Sequence, residues 1–345
     1  MTIQLFLIFV DFVTVTIFSK YNVENIKIYN NTNTVLSKCG DLICSNVNIK
    51  NKNFYFKLKD NTKISINNDS KKRYFSGELF VFIKNNKIIL NNKLKTDDYI
   101  TKVVSSELDN LLSTEALKAF YLIVKNYTLS NLNKHSKDYE SDFCDLAHCQ
   151  VYHGNSTKEK TIKETVKDIK DEILCFENNI AKTYFNAICG PFRATTGIIW
   201  NYDIKYIKGG KNTFNNENLA IKSNNYQWQF TLNKRELNEY LKVEYLKIYE
   251  SKLNYVTIIG DNKTKWNGEN FRRLIAKKYG WGKLKSNQFT LTENKSDYIF
   301  SGFGFGNGIG FCIEESDDLA KKKLNYKEII NFFFDNLQIK INNCK

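Results

Sequence analysis

Apolar positions in the first hundred residues recur with period two. Ile3, Leu5, Leu7 and Phe9 alternate with other residues, and Val13, Val15 and Ile17 resume the alternation after Asp11, which falls where a turn belongs. Such alternation marks half-buried strands. Residues 2–19 therefore read as two buried strands, although their apolar run also resembles a signal peptide or a short anchor. No lysine precedes the run and no A-x-A-like cleavage site follows it, as a signal peptide requires. Further strands are predicted at 26–29, 54–58, 63–66, 79–83 and 87–90, separated by Asn-rich turns.

From Ser106 onward the period lengthens. Leu112, Leu117, Phe120, Val124 and Tyr127 recur at near-helical spacing and predict a helix of about 20 residues. Ser156 and Glu159 form a capping box, after which Ile162, Val166, Ile169 and Ile173 share one helix face. A mixed β segment follows through Trp200. A second capping box, Asn233 with Glu236, starts another helix, and the chain closes with a Gly-rich loop and an amphipathic helix over about 317–337. No internal repeat or flexible linker interrupts the chain. The expected class is α+β, with a strand-rich N-terminal subdomain at 1–95 and a mixed α/β core at 96–345 built on a long helix.

Composition changes this picture little. The 345 residues include 42% hydrophobic and 14% aromatic side chains, enough for a sizeable core. A net charge of +14 suggests a polyanionic partner. The excess is nearly all lysine, however, and only Arg73, Arg193, Arg235, Arg272 and Arg273 offer the fork that reads phosphates and base edges. With one proline, one methionine and abundant Asn, Lys and Ile, the charge reads as compositional drift, and nucleic acid is not the expected partner. Eight cysteines in a chain this long are too sparse for a disulfide scaffold. Cys39 and Cys44 read as a loop or a local disulfide.

Candidate chemistry concentrates at 135–152. His135, Cys144, His148 and Cys149 offer two imidazoles and two sulfurs within 15 residues, a set suited to tetrahedral zinc, with His153 as a spare. The alternative is a Cys144–Cys149 disulfide with incidental histidines. Two of the chain's three histidines falling here favours metal.

Several stretches in order resemble the SpoIID/LytB family. Residues 103–108 (VVSSEL), 115–119 (EALKA) and 144–152 (CDLAHCQVY) resemble its VVPSEM, EALKAQ and CDTTHCQVY signals. Arg73 to Gly77, Asp98 with Tyr99, residues 169–174, Thr183 to Phe185, Trp200, Trp228, the 271–273 and 284–286 segments and the 302–310 glycine loop follow in the family's order. The resemblance covers nearly the whole chain.

It implies a peptidoglycan lytic transglycosylase of wall remodelling or sporulation engulfment, acting on glycan strands stripped of stem peptides. It also implies a place in the cell envelope, extracytoplasmic or membrane-associated, and a cell-wall amidase as a second partner. Glu107 takes the catalytic position, and zinc at His135, Cys144, His148 and Cys149 is implied as structural. A single carboxyl group can protonate the leaving oxygen and then deprotonate the muramic 6-hydroxyl, so no second carboxylate need activate water. Burial would raise the Glu107 pKa, whereas the helix start expected there would lower it.

Tyr152, Asn186, Gly306, Asn307 and Gly308 are the expected substrate contacts; Tyr152, Tyr226 and Trp228 could stack on sugars or lie in the core, and the core suits Trp228 better. The Gly-rich loop lacks the lysine and βαβ setting of a phosphate cradle. Its Asn307 stands where the family has histidine, Asn186 and Ala187 where it has a His-Ser-like pair, and residues 190–193 replace its Gly-Gly turn. These departures imply altered specificity or weak activity, with a glycan-gripping or amidase-stimulating protein as the alternative.

Overall fold

The computed structural model describes residues 11–344 except 31–32, 47–49, 201, 220–222, 253–254 and 262–263. The strand expected over Ile3 to Phe9 lies outside the described residues. Its continuation forms β1 (Phe12–Thr16), whose Val13 and Val15 are fully buried as the alternation requires. The chain then builds β2 (Asn25–Tyr29), β3 (Thr34–Cys39), β4 (Leu42–Ser45), β5 (Lys50–Asn51), β6 (Asn53–Ile66), β7 (Lys71–Lys84) and β8 (Lys87–Lys95). The two short strands expected at 54–58 and 63–66 are one strand, β6, whose register shifts between Leu58 and Thr62. The sheet order is β5-β4-β3-β2-β6-β7-β8-β1-β9, where β9 is only Phe143–Cys144. All pairings are antiparallel except the last, which sets Thr16 beside Cys144 in parallel.

Helix α1 spans Thr96–Glu107 and α2 spans Thr114–Ser130. A single helix from Ser106 was expected; instead Glu107 ends the first helix and 108–113 separate it from the second. The local reason is visible. Ser105 and Ser106 donate to the Lys102 carbonyl at 2.9 and 2.7 Å, competing with the helical ladder. Leu108 is extended, at φ −104° and ψ 124°, and the poor helix formers Asp109 and Asn110 follow. Helix α2 is buried on nearly every side, as befits a helix apolar all round.

Half of the second capping box forms: Asn233 accepts from the Glu236 amide at 3.2 Å at the head of helix Lys234–Leu241, while the Glu236 carboxylate accepts from Lys278 and Tyr279. The first yields a shorter helix than expected, Glu159–Thr165, and Ile173 lies in strand Glu172–Phe176. The closing helix is two helices, Ile313–Lys321 and Tyr326–Phe333.

One hydrophobic core joins the N-terminal sheet to α1, α2 and the two closing helices, so packing is continuous across residue 95. A separate core of Trp228, Leu232, Leu237, Ile258, Phe271, Ile275 and Phe300 organises a small lobe between them in sequence. Three disulfides link Cys39–Cys44, Cys175–Cys344 and Cys189–Cys312. The last two close separations of 169 and 123 residues and were not expected from spacing. Among the described residues no helix is long and apolar enough to cross a membrane.

Candidate active site

A cleft of about 750 Å³ lies where the two cores meet. Its wall includes Glu107 and residues 108–112 after α1, Ala147, His148, Cys149 and Val151, the 184–188 segment, Gly306 and Asn307, and a cluster from the small lobe.

Glu107 is partly exposed toward the cleft, and Val151 donates its amide to Oε1 at 2.6 Å. Burial raises its pKa to about 7, against the opposing pull of that amide. Because Glu107 ends α1 rather than starting a helix, the helix carbonyl end also disfavours the carboxylate. The helix effect thus has the sign opposite to that expected from sequence. Lys158 caps the carbonyl of Leu108 and reaches that of Asp109 at 3.4 Å.

The Val151 amide is positioned by the loop that carries the metal candidates. β9 pairs at the sheet edge with β1 and fixes Cys144. Asp145 then accepts from the Phe18 amide at 2.8 Å and from Arg73 Nη1 at 2.7 Å, and Arg73 also reaches the Tyr152 carbonyl at 3.4 Å. Within this frame Cys144 Sγ lies 3.7 Å from Cys149 Sγ and 3.3 Å from His148 Nε2. His135 Nε2 lies 3.2 Å from Cys149 Sγ and 3.1 Å from His148 Nε2. Usual Zn–S and Zn–N lengths at tetrahedral angles give about 3.8 Å for S to S, about 3.6 Å for S to N and about 3.3 Å for N to N. The four donors fit that figure. His135 Nδ1, on the far side of its ring, is 3.7 Å from Asp138, beyond hydrogen-bond reach. Cys144 and Cys149 are not disulfide-bonded.

The remaining expected contacts are distributed differently. Tyr152 is fully buried, stacked on Tyr99 with centroids 5.6 Å apart, and donates to Asn92 Oδ1 at 2.6 Å. It is a core residue and presents no face to a glycan. Asn186 borders the cleft but is 3% exposed, and both ends of its amide are spent on the Gly-rich loop. It accepts from the Gly308 amide at 2.9 Å and donates to the Ile309 carbonyl at 2.8 Å. Gly308 is buried behind that contact and lies outside the cleft wall.

Gly306 and Asn307 do line the cleft, though the Gly306 amide is taken by the Lys285 carbonyl and Asn307 Oδ1 by the Ile309 amide. A Cβ on Gly306, where φ is +140°, would stand 2.3 Å from Asn186 Oδ1, so the close approach requires glycine. Trp228 and Tyr226 are both buried. His153 is exposed, its amide donating to Ser106 Oγ at 3.0 Å.

Sequence reasoning missed Trp281 and the pairing of Glu269 with Arg272 and Arg273, all in the cleft wall. It also missed Asp317, which accepts from both the amide and the hydroxyl of Ser113 at 2.7 Å and so ties the 108–113 linker to the closing helices. The adjacent pair Arg272 and Arg273 in a chain of five arginines was the available signal.

Residues 84–176 match the family described as stage II sporulation protein, SpoIID. That span holds the end of β7, β8, both helices around Glu107, and the entire candidate metal loop. The chain is also 23% identical over 274 residues to an uncharacterized protein of Brachyspira hyodysenteriae, an alignment covering 77% of this chain and 72% of the other.

Proposed function

Since the chain carries a SpoIID domain over residues 84–176, which supports a sporulation or cell-wall role, we propose that it is a peptidoglycan lytic transglycosylase acting in the cell envelope. The observation that carries this reading is Glu107: a carboxyl group in a cleft wall, with its pKa raised to about 7. Such a group is protonated often enough at neutral pH to act as an acid and is basic enough afterwards to act as a base. In the first half of the reaction Glu107 gives its proton to the glycosidic oxygen as the C1–O bond breaks. In the second, the resulting carboxylate takes the proton of the muramic 6-hydroxyl as O6 bonds to C1. The products are a shortened strand and a 1,6-anhydromuramyl end; no water is consumed and Glu107 finishes protonated.

His135, Cys144, His148 and Cys149 would hold zinc, and a closed four-ligand ion supplies cross-linking rather than catalysis. The chain's own part is to fix the 144–152 loop so that Val151 meets Glu107. The substrate would be glycan strands, freed of stem peptides by an amidase. The test is incubation with intact and stripped sacculi and mass spectrometry of the soluble fraction. Anhydromuramyl products that disappear with Glu107→Gln support the reading, and their persistence in that variant removes Glu107 from it.

A second reading, a glycan-gripping or amidase-stimulating protein without cleavage, draws on Asn186 and Asn307, whose polar atoms are turned to the loop itself. Saturable sacculus binding with no soluble product would favour it.

A further inference from the structure

The wall that the small lobe gives to the cleft carries chemistry that Glu107 does not use. Helix Gly268–Tyr279 begins with Asn267 capping the Asn270 amide at 2.8 Å. In its first turns one carboxylate serves two guanidiniums: Glu269 Oε2 accepts from Arg272 Nε at 3.0 Å, and Oε1 from Arg273 Nε at 3.3 Å. Glu269 and Arg272 have side chains only 4% and 8% exposed, and Arg272 also donates to the Lys285 carbonyl and lies over the Trp281 ring at 4.8 Å. Arg273 is 52% exposed, and none of its other nitrogens has a partner among the described residues.

An exposed i,i+4 ion pair would be an ordinary surface feature. Here the shared acceptor is buried, so it fixes the Arg273 stem while leaving one positive charge of the three uncompensated. Lys134, another cation in the cleft, spends its ammonium on Tyr127 Oη at 3.0 Å and the His148 carbonyl at 2.6 Å. The cleft is also lined by Glu107, Asp109, Glu314 and Asp317, the last paired with Lys321 at 2.7 Å. These carboxyl groups disfavour an anion on a bound strand, whereas the exposed Arg273 attracts one. Partly exposed Trp281, with the Arg272 guanidinium over its ring, adds an aromatic surface to the same cleft.

We propose that Arg273, held by Glu269 in the cleft wall that also carries Trp281, forms a subsite for the free lactyl carboxylate of a muramic residue of the bound strand. The guanidinium fork matches a carboxylate, and an amide-linked stem peptide would remove the charge it reads. This inference rests on the glycan-cleaving reading above.

The test measures binding by the Glu107→Gln protein, which does not consume its ligand, to soluble stripped strands and to the same strands with carboxyls reduced to alcohols. The expected result is a Kd about 10- to 100-fold lower for the carboxylate form, the size of a charge-assisted bond. Arg273→Ala should bring the two Kd values together, Arg273→Lys should restore part of the difference, and Trp281→Ala should weaken both strands alike. Circular dichroism checks that each variant folds. Equal Kd values for the two strands, or a preference that survives Arg273→Ala, overturn the subsite; if the wild type still releases anhydromuramyl ends, the cleaving function stands. Failure of the variant to bind either strand overturns the subsite, and with no anhydromuramyl release by the wild type it overturns the cleaving function as well.

Discussion

Replacing Glu107 with Gln should do two opposite things. The substitution keeps the shape and an acceptor for the Val151 amide, which Glu107 receives at 2.6 Å, but removes the titrating proton. General acid–base groups contribute about 10²- to 10⁴-fold, so anhydromuramyl release should fall by at least about 100-fold. Stability should move the other way.

The folded pKa of Glu107 is raised from the model-compound value of 4.5 to about 7 by burial. Between those values the folded protein binds more protons than the unfolded chain, so stability declines as pH rises through that window and stays low above it. The full shift corresponds to about 3 kcal/mol; exposure of the residue to the cleft reduces this to about 1–2 kcal/mol. Glu107→Gln removes the penalty. It should melt about 2–4 °C above wild type at pH 8 and together with it at pH 4, in scans at one fixed rate. A variant that is inactive and also less stable at pH 8 would mean the carboxylate is a structural anion, which refutes the acid assignment. Equal melting temperatures at every pH would mean the carboxyl group is not buried against its charge.

The same pKa sets the activity profile: wild-type cleavage should fall about tenfold per pH unit above about 7 as the acid form is lost, and a profile flat to pH 9 would contradict it. Elemental analysis should find about one zinc per chain, lost together with the Val151 contact in Cys149→Ser. Under ~0.2 zinc with a Cys144–Cys149 crosslink would refute the site. Non-reducing peptide mapping should recover Cys175–Cys344 and Cys189–Cys312, and Cys175→Ser should cost about 2–4 kcal/mol because the bridge closes a separation of 169 residues; an unchanged urea midpoint would argue against that bridge. Gly306→Ala should cut cleavage, since its Cβ would stand 2.3 Å from Asn186 Oδ1, and unaltered kinetics would show that the loop gives way.

What sequence could reveal was local. Alternation found β1 and β7 because their partners do not change the period, and the Asn233 cap follows from two residues three apart. The convergence of His135, Cys144, His148 and Cys149 was legible because 15 residues of chain hold all of them. The break at 108–113 was not, since Leu112 and Leu117 keep helical spacing while the interruption depends on Ser105, Ser106 and a contact to Asp317 two hundred residues away. Tyr152 beside a metal loop looks like a sugar platform until the sheet closes over it and Asn92 accepts its hydroxyl proton. Arg273 and Trp281 could be matched to Glu107 only once the small lobe had folded against the cleft.

Those long-range ties also explain how residues that depart from the SpoIID pattern can leave the setting of Glu107 undisturbed. The Glu107 wall is held by three contacts that do not involve the altered residues: the β1–β9 pairing, the Arg73–Asp145 ion pair at 2.7 Å, and the Ser113–Asp317 bond. Asn186 and Asn307 belong to the glycine-loop wall, where Asn186 fastens residues 308 and 309 and Asn307 accepts from the Ile309 amide. The Cys189–Cys312 bridge and Glu315, whose Oε1 accepts from the Cys189 amide at 2.9 Å, brace the same wall from behind. In this chain the glycine loop is thus stiffened by groups that would otherwise face the ligand. On the proposed glycan-cleaving reading, a strand in the cleft is then oriented by side chains outside the loop, and the exposed Arg273 is the one proposed here.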